Sequence, residues 1–454
     1  MKRLILSFIT LFVLILAGCG NGGSGGGATS NGGGGAQQGL TGGNSYIGCP
    51  GNTSTTAAAP ESGTVTLTVS GWSSSPAEDA LVQQNLQKFQ QAHPNIQLKW
   101  SPITGDYPTK MRANVASNVV PDVFYLSTDM APEYITSGKL LDISPYMAKD
   151  NIQASSYYPS LITPFSCKSG QVYGIPKDWG TLGVFYNKQM LQQAGLSAPA
   201  DNWTWNDMQD YAKKLTKKGT AASSVYGITF AAASSQRWMA FLLANGGSVL
   251  NSDGTQATFN SKAGIDSLNF YSSFFKDGSA VQPTDVAAGW AGDAFGKQRA
   301  ALALEGPWLI PYMQQNFPNV QYGIAPVPTA PNGKRADLIF TNSWSAYGNT
   351  KHPEAAWEVI KYMTGQDVQG SQLHAGFALP SLKSLSNDQY FTQNPGFKVL
   401  FDAATYGYAD NFGPHTSAIH TQLDQAVEKV LLGKADSQTA LNDAANHVNT
   451  ELQT

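Results

Sequence analysis

The sequence predicts an α/β protein of two domains, on three observations. First, Thr64-Val-Thr-Leu-Thr-Val-Ser70 alternates as a strand with one apolar face. Pro76 to Ala92 carries Leu81, Val82, Leu86 and Phe89 at helical spacing, and Ile96, Leu98 and Trp100 alternate again. Strand, helix and strand over about 35 residues make a βαβ unit, the start of a parallel sheet. Second, beyond a low-complexity start roughly 390 of the 454 residues remain, more than one core usually supports. Third, Gly174-Ile-Pro-Lys-Asp-Trp-Gly-Thr-Leu-Gly-Val-Phe-Tyr-Asn187 sets Asp178 and Trp179 among glycines, before an apolar run that reads as a buried strand. A bulky aromatic in a bending segment suits the first passage of the chain from one lobe to another across a cleft.

The N-terminus bounds the compartment. Lys2 and Arg3 precede an apolar run from Leu4 to Leu16 and then Leu16-Ala-Gly-Cys19. A basic start, a short apolar core and small residues before the cut form a secretory signal over 1–19 rather than a membrane span. The Leu-Ala-Gly-Cys ending resembles the bacterial lipoprotein signal, which implies diacylation of Cys19 and a lipid-anchored protein on the extracytoplasmic face of the membrane. Residues 20–62 are rich in Gly, Ser, Ala, Asn and Thr. Such a composition cannot bury enough surface to offset chain entropy and is expected to be a flexible tether. Of three cysteines, Cys49 and Cys167 remain after lipidation and are candidates for a disulfide outside the cytoplasm. Charged residues are only 13% with a net charge of -3, and no basic patch is present, so no nucleic-acid partner is expected.

The elements follow in order. A second helix carries Tyr107, Met111 and Val115 on one side, and Pro121-Asp-Val-Phe-Tyr-Leu126 is a third strand that stops at Ser127-Thr-Asp129. Ligands in such sheets collect beyond the carboxyl ends of the strands, which places Trp72, Asp106, Tyr107 and Asp129 on one rim. Thr204-Trp-Asn-Asp207 opens a helix with a hydroxyl cap and an acidic residue three places on. Val225 to Phe230 is a strand, Ser234-Ser-Gln-Arg-Trp238 opens a further helix, and Ala263 to Lys276 is amphipathic. Ile339 to Ala346 and Gly376-Phe-Ala-Leu-Pro380 are two more segments of crossing character, and helices near 416–432 and 437–452 close the chain.

In this order, Phe89-Gln-Gln-Ala-His-Pro-Asn-Ile, Pro121-Asp-Val, Tyr173-Gly-Ile-Pro, Phe185-Tyr-Asn-Lys188, Thr204-Trp-Asn-Asp, Glu305-Gly-Pro-Trp and Glu354-Ala-Ala-Trp-Glu stand along the chain. The series resembles the family 1 extracellular solute-binding proteins, sugar receptors of ABC importers related to maltose-binding protein. The resemblance implies a periplasmic-binding-protein-like fold, two α/β lobes joined by a hinge of about three crossing segments near 180–185, 341–345 and 377–383. It assigns 63–182 and 344–379 to the N-terminal lobe, and 183–342 and 380–454 to the C-terminal lobe. It implies a sugar as ligand, the permease subunits of an ABC transporter as partner, a monomer, and no cofactor. Asp129 falls at the family's acidic sugar contact and Trp308 at the stacking tryptophan of its Gly-Pro-Trp motif. Leu126 stands where maltose-binding relatives carry a tryptophan, a departure that weakens any specific claim for maltose-like chains.

A pyranose offers an apolar C–H face and an edge of hydroxyls. Flat aromatics cover the face, at roughly 25 cal/mol per Å² buried, and carboxylates accept the hydroxyl protons. The expected stacking residues are Trp179, Trp308, Trp290 and Trp344, with Trp72 and Trp238 behind them. The expected polar contacts are Asp129, Glu305, Asp106, Arg237 and Asp178, with two alternatives open: Glu305 in a structural ion pair, and Asp178 in hinge hydrogen bonding. Trp100, Trp203, Trp205 and Trp357 sit at strand, helix-entry or helix positions and are expected in the core. No Gly-x-Ser-x-Gly, His-Glu-x-x-His, Cys-x-x-Cys or Walker loop is present, and six scattered histidines offer no helical metal pair. The carboxylates alone leave a glycoside hydrolase as the enzyme alternative; the same fold holding a polyamine or metal chelate is the other.

Overall fold

A computed structural model describes residues 56–453 apart from 60, 74, 221, 222 and 232. The signal sequence with Cys19, nearly all of the tether, and Cys49 lie outside the described residues. Among the described residues eleven strands are present: β1 (Val65–Ser70), β2 (Ile96–Trp100), β3 (Val123–Ser127), β4 (Gly174–Gly180), β5 (Gly183–Asn187), β6 (Tyr226–Thr229), β7 (Ala280–Val281), β8 (Ala300–Glu305), β9 (Tyr322–Ala325), β10 (Asp337–Ala346) and β11 (Gly407–Ala409). They form two sheets. One has the order β11-β10-β3-β1-β2 with β4 also on β10, and the other β7-β6-β8-β5-β9.

The expected βαβ unit is there. β1 and β2 are parallel from Val65 opposite Ile96 to Val69 opposite Trp100, and the helix Pro76–Ala92 between them buries Val82, Leu86 and Phe89. Ser75 caps that helix by accepting from the Glu78 amide at 3.2 Å. The capping box at Thr204 forms as its spacing predicts, with Asp207 returning a carboxylate oxygen to the Thr204 amide at 2.8 Å. The first sheet is mixed rather than wholly parallel, because β10 runs antiparallel to β3 and to β4. β10 arrives some 200 residues after β3 along the chain, a pairing that local periodicity does not encode.

Each sheet has its own core. Val65, Phe89, Phe124, Ile175, Trp344 and Trp357 belong to one cluster, and Trp205, Ile228, Trp238, Leu302, Leu338 and Leu423 to the other. A third cluster joins Trp179, Phe185, Ile339, Leu379 and Leu400. Three segments pass from core to core. The first runs from Ile175 through Trp179 to Leu182, the second is β10 from Leu338 through Ile339 to Trp344, and the third includes Leu379.

The three crossings lie side by side at Trp179. Trp179 is in register with Thr341 of β10 and exchanges backbone hydrogen bonds of 3.0 and 3.1 Å with Leu379. Its indole donates to the Pro380 carbonyl at 2.8 Å. Gly174–Gly180 is therefore a buried strand, β4, and not an exposed bend, and Trp179 is only 2% exposed. Gly180, where β4 ends, is a position of close approach: a Cβ there would stand 2.9 Å from the Pro307 ring.

Candidate functional site

A cleft of about 740 Å³ opens beyond the carboxyl ends of β3 and β6. From the first lobe Asp106, Arg112 and Asp129 line it, and from the second Gln236, His420 and Asp424. Local structure explains each placement. Asp106 caps the helix Tyr107–Ala116 and accepts from the Thr109 amide at 3.2 Å, and hydrogen bonds from Thr109 hold its carboxyl below the usual range. Asp129 lies two residues past β3 and takes a short hydrogen bond from the Ser127 hydroxyl. Gln236 lies in the first turn of the helix Ser235–Ala244, and His420 and Asp424 stand one turn apart on the helix Thr416–Leu431.

The second-lobe wall is organised on a carboxylate behind it. Asp410, 2% exposed, accepts from Gln236 Nε2 at 2.6 Å and from His420 Nε2 at 2.9 Å. Burial works against charge on His420, but the charge of Asp410 and its hydrogen bond, with Asp129 and Asp424 beyond, push its pKa up to about 9. His420 is thus an imidazolium at neutral pH. Asp424 accepts from the Ser235 amide at 2.7 Å, and burial raises its pKa above the ordinary carboxyl value. Arg112 reaches across the cleft: its Nε donates to Glu133 at 3.1 Å and its Nη2 to Ser417 of the opposite lobe at 3.2 Å. The lining is rich in hydroxyls, carboxylates and paired cations, a surface made to exchange hydrogen bonds with a polar solute.

Of the residues expected at the site, the structure brings Asp106 and Asp129 to this cleft. The aromatic platform needs correction. Trp344 and Trp238 have no exposed surface, and Trp179 almost none, so none offers a face to a ligand. Trp344 packs edge-on to Tyr125 at 4.4 Å because β10 points it into the first core. Trp72, Trp290 and Trp308 keep partial exposure, packed on Tyr125 (4.9 Å), Tyr312 (5.0 Å) and Phe340 (5.8 Å) respectively. Among the described residues no Phe, Tyr or Trp lines the cleft.

Three expected polar contacts are also committed elsewhere. Glu305 is 1% exposed and accepts from both Arg237 and Trp308, each at 2.8 Å, so it is a structural ion-pair partner. Arg237 also donates to the Leu304 carbonyl at 3.2 Å. Asp178 pairs with the buried Lys177, and its carbonyl accepts from Thr341 at 2.8 Å, which ties it to the hinge. Tyr107, expected on the rim, is buried, with its hydroxyl on the Tyr125 carbonyl at 2.9 Å.

Sequence reasoning missed Arg112, Gln236, Asp410, His420 and Asp424. The only local signal was the one-turn spacing of His420 and Asp424 on an amphipathic helix, which without tertiary context reads as a solvated face. Trp203, Trp205 and Trp357 are core residues as expected. Cys167 is buried and disulfide-bonded. Among the described residues no group of three His, Cys, Asp or Glu side chains is placed to hold a metal ion.

Two α/β lobes, three crossings at the back and a polar cleft in front define a two-lobed solute-binding fold. The sequence profile for bacterial extracellular solute-binding proteins matches residues 72–370, and the chain belongs to that family. Among its relatives, a galactooligosaccharide-binding protein of Bacillus subtilis (strain 168) is 26% identical over 366 residues, 76% of this chain and 80% of the relative. A maltooligosaccharide ABC transporter solute-binding lipoprotein of Streptococcus pneumoniae is 23% identical over 359 residues, 76% of this chain and 79% of the relative. In fold, the chain is similar to an ABC substrate-binding protein of Listeria monocytogenes solved in complex with cycloalternan. That likeness has a TM-score of 0.79 at 23% identity and covers 86% of this chain and 99% of the other.

Proposed function

We propose that the protein is the extracytoplasmic receptor of an ABC importer, capturing a mono- or oligosaccharide between its lobes and delivering it to the permease. The observation that carries this reading is the cleft itself, where carboxylates of the first lobe face hydroxyl, amide and imidazolium groups of the second. Carboxylates accept from sugar hydroxyls, and imidazolium and guanidinium donate to them, so a neutral polyol can satisfy both walls at once. The names of the Bacillus and Streptococcus relatives support a carbohydrate, and membership of the family supports transport rather than hydrolysis. Trp308, partly exposed beside Arg237, remains a candidate for covering a sugar face, with Trp72 and Trp290 also partly exposed.

In this reading the lobes are 63–182 with 344–379 and 183–342 with 380–454, and ligand favours a closed state by rotation at the three crossings. The receptor works as a monomer, anchored through diacylated Cys19 by the tether 20–62, with the Streptococcus lipoprotein in support. The affinity suited to capture and release is micromolar, about -8 kcal/mol. A thermal-shift panel tests the proposal, because a ligand that binds only the folded state raises the melting temperature. At least one of maltotriose, cycloalternan, a galactooligosaccharide and simple hexoses is expected to raise it. A response to spermidine or an iron chelate with none to any sugar would overturn the carbohydrate assignment, and cleavage of a responding oligosaccharide would point to a hydrolase instead.

A further inference from the structure

We propose that buried Asp410 is a positioning residue that presets Gln236 and His420 as an acceptor and a donor on the second-lobe wall of the cleft. The argument rests on what a carboxylate can do. An ionised carboxylate only accepts hydrogen bonds, so whatever meets it must donate. Gln236 lies 2.6 Å away through Nε2, which fixes the amide with its NH₂ toward Asp410 and leaves Oε1 as the acceptor. His420 lies 2.9 Å away through Nε2, which must carry a proton, and Nδ1 makes no hydrogen bond among the described residues. Both side chains line the cleft, whereas Asp410 itself is 2% exposed. One hidden carboxylate therefore sets the polarity of two partly exposed groups from neighbouring elements, a match for adjacent hydroxyls of a neutral sugar.

The charged groups around His420 all bear on its state. Asp410 follows β11, Asp424 lies one turn along the same helix, and Asp129 faces it from the first lobe. Arg112, paired with Glu133 of the helix Ala131–Thr136, bonds Ser417 three residues before it. The carboxylates outnumber the cation, so His420 stays a full donor through neutral pH, and binding through it is insensitive to pH between 5.5 and 8. Without Asp410 the imidazole titrates inside that window.

The inference rests on the carbohydrate reading, and the experiment separates the two. Calorimetric titration of the full chain with maltotriose, cycloalternan and a galactooligosaccharide is run at pH 5.5, 6.5, 7.5 and 8 for the wild type and Asp410→Asn. The wild type is expected to bind one of these with a flat pH profile. Asp410→Asn is expected to lose roughly tenfold at pH 7.5 and to regain part of it at pH 5.5. Equal affinity in the two proteins, or a loss in Asp410→Asn that is the same at every pH, would overturn the proposal. Should Asp410→Asn melt too low for titration, His420→Gln serves: a several-fold loss with a flat profile is expected, and unchanged affinity overturns the proposal. Binding of none of the sugars by the wild type would count against the carbohydrate reading alone. NMR titration of the imidazoles then decides the inference without sugar: a wild-type His420 still charged at pH 8 upholds it, and one titrating near pH 6.5 overturns it.

Discussion

The indole N–H of Trp308 and the Nη2 of Arg237 donate to the same oxygen of Glu305, each at 2.8 Å. The carboxylate is 1% exposed, and the guanidinium also stands 5.6 Å from the Trp308 ring. Trp308 is thus held by a buried ion pair rather than by packing alone. Removing one partner of such a pair strands the other charge, at a cost of about 3–5 kcal/mol. Glu305→Gln is expected to lower unfolding stability by that order in chemical denaturation. A loss below about 1 kcal/mol would show that Arg237 finds another partner.

Gly180 ends the first crossing where Pro307 and Trp308 press against it. Its missing Cβ would come 2.9 Å from Pro307 and 3.5 Å from the Trp308 ring. Gly180→Ala is expected to displace the Gly-Pro-Trp turn and to destabilise by about 1–3 kcal/mol, as overpacking does. Thermal unfolding checks the stability, and tryptophan fluorescence checks the shift of Trp308.

His420 links stability to pH with a defined sign. Its pKa is about 9 in the folded chain against an ordinary 6.5. A raised pKa means the folded state holds the proton longer, so this stabilisation is complete below pH 6.5 and is lost as pH rises toward 9. The full effect is on the order of 3 kcal/mol. The melting temperature of His420→Gln should therefore fall less than that of the wild type between pH 6.5 and 9. Parallel curves would contradict the ion pair with Asp410.

Cys167 is disulfide-bonded, and the pairing we propose is with Cys49. Cys49→Ala should expose one thiol at Cys167 to a thiol reagent in the unfolded protein and lower stability by about 2–5 kcal/mol. Cys167 still blocked in that variant would refute the 49–167 pair.

The lobes were legible because their signals are local. The βαβ spacing from Val65 to Trp100, the cap at Thr204 and the apolar run at Val184 each reflect a period or a turn that a few residues encode. The hinge was legible for the same reason: Trp179 among glycines marked a crossing, and Thr341 and Leu379 do lie beside it. The cleft was only half legible. Asp106 opens a helix and Asp129 follows a strand, local elements whose direction predicts the rim, whereas Gln236 meets Asp410 and His420 from a segment more than 170 residues earlier in the chain. Tryptophan misled because its size serves a core as well as a ligand. Trp344 and Trp238 fill cores, and only strand register and helix facing decide that.

The central claim is that a sugar sits between Asp129 on one lobe and His420 on the other. Calorimetric titration of Asp129→Ala beside the wild type, with the saccharide giving the largest thermal shift, tests it most directly. Loss of a charge-assisted hydrogen bond there should weaken binding at least tenfold while the ligand-free melting temperature stays within a few degrees. Wild-type affinity in Asp129→Ala would contradict the account and move the site away from this cleft.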